Sequence, residues 1–106
     1  MKLKNICFFM LFIPSICFAE FKFGNELKTQ CNSSQLIDQG VCLGYVTAVA
    51  DINTKQKVCM PSNVTIGQLQ AISIKYFNDY PDRLHYSADS LVLDALSKAF
   101  PCSSKR

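Results

Sequence analysis

Residues 64–81, VTIGQLQAISIKYFNDYP, carry the clearest structural instruction in this chain. Thr65 followed three residues later by Gln68 is a capping-box pattern: the Thr65 hydroxyl accepts from the Gln68 N–H while the Gln68 side chain reaches back. Val64 and Leu69 stand where a hydrophobic staple packs. Leu69, Ile72, Tyr76 and Tyr80 then continue one stripe at helical spacing, flanked by Ile66, Ser73 and Phe77. Pro81 ends the helix at Tyr80, because a proline disfavours the helical conformation in the residue before it.

Working outward from this segment, the same period recurs and no stretch alternates with period two for long enough to suggest a sheet. Downstream, Pro81 suits the first position of another helix. Leu84, Ala88, Leu91, Ala95 and Lys98 line up, with Val92, Leu96 and Phe100 widening the apolar face. Ser87 offers an alternative start that would break the segment near His85. Asp94 and Lys98 have the spacing and orientation of a favourable surface pair. Upstream, residues 53–63 (NTKQKVCMPSN) form a polar loop pinned by Cys59. A helix from Leu36 or Gln39 to Asn53 precedes it, with Val41, Tyr45, Val49 and Ile52 on one face and Cys42 and Val46 beside them. Gly40 and Gly44 are unusual inside a helix, and close approach of another helix is the expected reason for Gly44. Asn25 is the expected cap of a short first helix over 26–30, with Phe21 and Phe23 packing beside Leu27. The fold class is therefore all-α, a small bundle of about four helices.

The N-terminus reads as an export signal. Lys2 and Lys4 precede an apolar run, Ile6 to Ile13, too short to span a bilayer, and cleavage is expected after Ala19. Residues 1–19 would be removed, leaving 20–106 as one domain with no membrane segment. Cys7 and Cys17 leave with the signal, so four of the six cysteines remain: Cys31, Cys42, Cys59 and Cys102. Loss of Lys2 and Lys4 takes the formal charge from +3 to +1. Such a domain has no basic cluster to suit nucleic acid, and the terminal Lys105-Arg106 pair reads as a solvated tail.

Four cysteines in a small exported domain imply two disulfides. No C-x-x-C pair is present and His85 is the single histidine, so neither a metal site nor a cofactor site is indicated. Of three connectivities, Cys42–Cys59 with Cys31–Cys102 is preferred, since the chain after the Cys42 helix must double back through residues 52–58. Catalysis is not expected: His85 has no local partner motif, and oxidation would consume the thiols of Cys42 and Cys59. His85 reads instead as a helix-boundary residue.

The residues also resemble a known family. Phe23-Gly24-Asn25-Glu26-Leu27 with Cys31, Cys42-Leu43-Gly44-Tyr45-Val46 with Ala48-Val49-Ala50-Asp51, and Cys59-Met60-Pro61 with Val64-Thr65 and Gln68-Leu69 look like successive blocks of the Rap/Tai immunity proteins of type VI secretion. Pro81, Leu84-His85, Ala88, Leu91-Val92, Ala95-Leu96 and Ala99-Phe100-Pro101-Cys102 complete the pattern. Ala48 departs from it, since glycine is common there. The resemblance implies a helical, disulfide-containing periplasmic protein, often a homodimer, that binds a peptidoglycan amidase effector and occludes its active site. Gly44, Tyr45, Thr65, Gln68, Pro81 and His85 then have structural roles. The effector would meet unmatched residues, with Asn53, Thr54, Lys55, Gln56 and Lys57 as candidates. A periplasmic stress chaperone, and a family member with no effector, are the alternative readings.

Overall fold

The computed structural model describes residues 21–102, so the expectations for residues 1–19 and for Lys105-Arg106 lie outside the described residues. Four α-helices form: α1 Gly24–Cys31, α2 Leu36–Asn53, α3 Ile66–Asp79 and α4 Ala88–Ala99, with a 3₁₀ turn at Pro81–Arg83 between the last two. The all-α expectation holds. Among the described residues the only β pairing is two isolated bridges, Phe23 with Ser87 and Thr54 with Val58. The long helix α2 touches each of the other three. The core closes between them around Leu27, Val46, Phe77, Leu91, Val92 and Leu96, all fully buried.

Helix α3 begins as its sequence dictates. The Gln68 amide donates to Thr65 Oγ1 at 3.1 Å, and the Thr65 amide donates to Gln68 Oε1 at 2.7 Å. Two of the orphan amides at the helix start are thereby satisfied. Pro81 opens only a 3₁₀ turn, and α4 starts after Ser87. The shorter alternative for the last helix is therefore the one adopted.

Helix α1 is capped differently from expectation. Asn25 lies within it, and Phe23 occupies the cap position with its amide donating to Glu26 Oε1 at 3.1 Å. The Gly24 and Asn25 amides donate to the carbonyls of Tyr86 and Leu84, both at 2.9 Å, and the Ala88 amide returns a bond to Lys22 O at 2.8 Å. This backbone contact requires glycine at position 24. A Cβ there would overlap Leu91 Cδ1 and stand 2.9 Å from Leu84 O. The same extended pairing turns Phe21 and Phe23 to one side, since alternate residues of an extended segment share a face. They remain exposed (71% and 42%) instead of packing on Leu27.

The buried face of α2 is rotated from the expected one. Cys42, Val46, Val49 and Ala50 are buried, whereas Val41 and Ile52 face outward. A helix apolar on every side offers no contrast from which to read the inward face, and tertiary packing chooses it. Gly44 has no neighbouring helix within the protomer: a Cβ on Gly44, or on Gly40, would meet nothing within 4 Å. The expected close approach is thus absent inside the chain, although each glycine costs the helix about 1 kcal/mol relative to alanine.

The disulfides also differ from expectation. Cys31 pairs with Cys42 and Cys59 with Cys102, each with a Cα–Cα distance of 5.0 Å. The reason is length. Cys42 is near the start of α2, and about 16 Å of helix separates it from Asn53. The turn that follows Asn53 is too tight to carry Cys59 back along that distance. Bridging requires Cα atoms within about 7 Å, and what lies close to Cys42 is the end of α1. Cys59 instead donates its amide to Phe100 O at 2.9 Å, which brings the C-terminal Cys102 alongside.

Candidate partner-binding site

The loop after α2 is short and well tied. The Asn53 carbonyl accepts from three successive amides, those of Gln56 (3.2 Å), Lys57 (2.9 Å) and Val58 (3.1 Å). Lys55 donates its amide to Val58 O at 2.8 Å, and Asn53 Nδ2 donates to Val49 O at 2.8 Å. Lys55 takes a positive φ of 66°, the one non-glycine residue among those described to do so. The turn is clamped from beneath by Val58, which is fully buried, and by the Cys59–Cys102 link. Thr54, Lys55, Gln56 and Lys57 are exposed and Asn53 is half-buried. Two lysines are thereby exposed on a turn whose backbone is held by its own hydrogen bonds. Val58 is a core residue that the polar composition of NTKQKVCMPSN conceals.

The other singled-out residues do not join this turn into a catalytic constellation. Cys42 and Cys59 lie in different disulfides. His85 is exposed and its ring lies tilted by 53° against that of Tyr86, centroids 4.3 Å apart. Thr65 and Gln68 serve the cap of α3, and Pro81 starts the 3₁₀ turn. Among the described residues, no group of three His, Cys, Asp or Glu side chains is placed to hold a metal ion, and no helix is long and apolar enough to cross a membrane.

Two polar arrangements escape sequence reasoning. Asp94 and Lys98 do not pair with each other. Lys98 Nζ donates to Tyr80 Oη at 3.0 Å, Arg83 Nη1 donates to Tyr76 Oη at 2.8 Å, and Tyr76 Oη lies 3.4 Å from Asp94 Oδ2. The Arg83 guanidinium and the Lys98 ammonium also lie over the Tyr80 ring, 4.6 and 5.1 Å from its centroid. These hydroxyl contacts raise the pKa of both cations. The network ties α3 to α4 across the 3₁₀ turn, and the i,i+4 ion pair that does form is Lys75–Asp79, at 2.7 Å. The second arrangement is an open hollow lined by Phe21, Lys22, Phe23, Tyr45, Ser87 and Asp89. Burial, reinforced by the Asp89 carboxylate, pushes the Tyr45 phenol above its ordinary pKa.

The geometry defines a class: a small all-α module stapled by two disulfides. The model of the Rap1a immunity proteins matches residues 23–102, and the chain belongs to that family. No curated protein matches the chain. The blocks quoted above fall on the cysteines of the two disulfides, the α3 cap and the Gly24 contact, and residues 53–57 lie between two of them.

Proposed function

We propose that this protein is an exported immunity protein of type VI secretion, which binds a peptidoglycan amidase effector and covers its active-site cleft. The export signal ends at Ala19, the domain of residues 20–106 acts in the periplasm, and the working form is a homodimer. Binding alone performs this function, so no catalytic group or cofactor is required. The observation that carries the reading is the family match over residues 23–102. The clamped turn 53–57 supports it further, because an ordered, exposed turn suits insertion into a cleft.

The test is a binding and inhibition assay with the amidase encoded beside the gene. The expected result is a stoichiometric complex and loss of peptidoglycan cleavage. Failure to bind or inhibit that amidase overturns the reading. Lys55→Gly combined with Lys57→Ser is expected to weaken the complex by about tenfold or more while leaving the thermal transition in place. N-terminal sequencing of the periplasmic protein is expected to begin at Glu20, and an intact N-terminus there would refute cleavage after Ala19.

A further inference from the structure

The two disulfides meet solvent very differently. Cys31 and Cys42 are buried, 7% and 0% exposed, where the end of α1 packs on α2. Gln70 of α3 also donates its Nε2–H to Cys42 Sγ at 3.3 Å. Cys59 is exposed and Cys102 half-buried, where the chain after the 53–57 turn meets the end of α4. Thiol–disulfide exchange begins with a thiolate reaching one of the two sulfurs, so access decides which bond reacts. The exposed pair can be approached in the folded protein. The buried pair becomes reachable only when α1, α2 and α3 part, a far costlier opening.

The exposed bond is also the one that holds the turn. Residues 53–57 include Lys55 at φ 66°, a conformation that surrounding structure must impose on an L side chain. Three things hold the chain just beyond it: burial of Val58, the Cys59 amide bond to Phe100 O at 2.9 Å, and the link to Cys102. Phe100 is the C-cap of α4, and helix ends fray. The disulfide is therefore the part of this anchor that does not open with the helix end.

We propose that Cys59–Cys102 is a redox-sensitive clamp: a dithiol opens it while Cys31–Cys42 stays closed, and the 53–57 turn then loosens. A thiolate of the dithiol attacks Cys59 Sγ, forms a mixed disulfide and expels the Cys102 thiolate. The second thiolate of the dithiol attacks its own sulfur in that mixed disulfide and expels the Cys59 thiolate. The dithiol loses two electrons and two protons and becomes a cyclic disulfide; Cys59 and Cys102 gain them and become thiols. The reverse exchange restores the clamp. The proposal stands on the fold alone, whichever partner the turn meets.

Graded dithiothreitol on the oxidised full-length gene product, quenched by alkylation and read by peptide mass spectrometry, tests the order of opening. Cys59 and Cys102 are expected to be alkylated about tenfold or more sooner than Cys31 and Cys42. Amide exchange on the partly reduced protein is expected to rise about tenfold at Lys57 and Val58, with Leu27 and Val46 unchanged. The double variant Cys59→Ala, Cys102→Ala should show the same rise without reductant, and the reductant series on the wild type decides the matter should that variant fail to fold. Alkylation of all four cysteines at one rate, or of Cys31 and Cys42 first, overturns the selective opening. Selective opening with unchanged exchange at Lys57 and Val58 overturns the clamp.

Discussion

Gly24 and Tyr45 show how much a single side chain decides in this domain. Gly24 stands where α1 meets the 84–86 segment and Leu91 at backbone distance. Gly24→Ala must move Leu91 or break the amide contacts to Tyr86 and Leu84. A loss of about 1–3 kcal/mol is expected, measured by urea unfolding, and a neutral result would refute the close approach. Tyr45 provides a pH prediction. Its phenol is raised above 10.0 by burial first and by Asp89 second. The folded form therefore holds this proton more tightly than the unfolded chain. The associated stability is fully present below pH 10 and is lost as pH rises through the higher folded value. Tyr45→Phe should remove that part of the alkaline decline, with absorbance titration locating the ionisation.

Among the elements, α3 and the loop after α2 behave in opposite ways. The start of α3 is set locally by a reciprocal pair of hydrogen bonds. Thr65→Ala is expected to cost about 1 kcal/mol and to fray the first turn, visible as faster amide exchange at Gln68. The loop is set by what lies beneath it. With Val58 buried and Cys59 linked to Cys102, the backbone must turn sharply enough to place Lys55 at φ 66°. Glycine adopts that conformation without the steric penalty of an L side chain. Lys55→Gly alone should leave stability unchanged or raise it by up to about 1 kcal/mol. A marked drop in the thermal transition would show that the lysine side chain itself supports the fold.

At the scale of the whole molecule the two disulfides divide the work. Cys31–Cys42 closes a sequence separation of 11 and joins α1 to α2, whereas Cys59–Cys102 spans 43 and fastens the C-terminus to the loop. Loop-closure entropy assigns about 3 kcal/mol to the first and about 4 kcal/mol to the second. Removing Cys59 and Cys102 together, as alanines, is therefore expected to lower stability more than removing Cys31 and Cys42, in parallel denaturant titrations. Non-reducing peptide mapping should recover the linked pairs Cys31–Cys42 and Cys59–Cys102. A Cys42–Cys59 peptide would contradict the fold.

The sequence by itself determined much of what depends on near neighbours along the chain, although packing against the 84–88 segment moved the cap of α1 to Phe23 and the tyrosines of α3 drew Asp94 and Lys98 apart. The cap of α3, its stop before Pro81, the span of α2 and the all-α class follow from interactions within a few residues. The sequence blocks that resemble the family include those positions and the cysteines. For the candidate site, the polar character of residues 53–57 was legible, but its clamp was not, because Val58 is anchored by contacts distant in sequence. Only the tertiary structure decided the inward face of α2, the partners of the four cysteines and which glycine is pressed by a neighbour. A helix apolar all round has no face of its own, and cysteine spacing fixes no distance until the helices are laid against one another. Gly44 was expected to be crowded within the protomer and is open, while Gly24 is the crowded one. Close approach depends on packing between distant segments, and local sequence does not encode it.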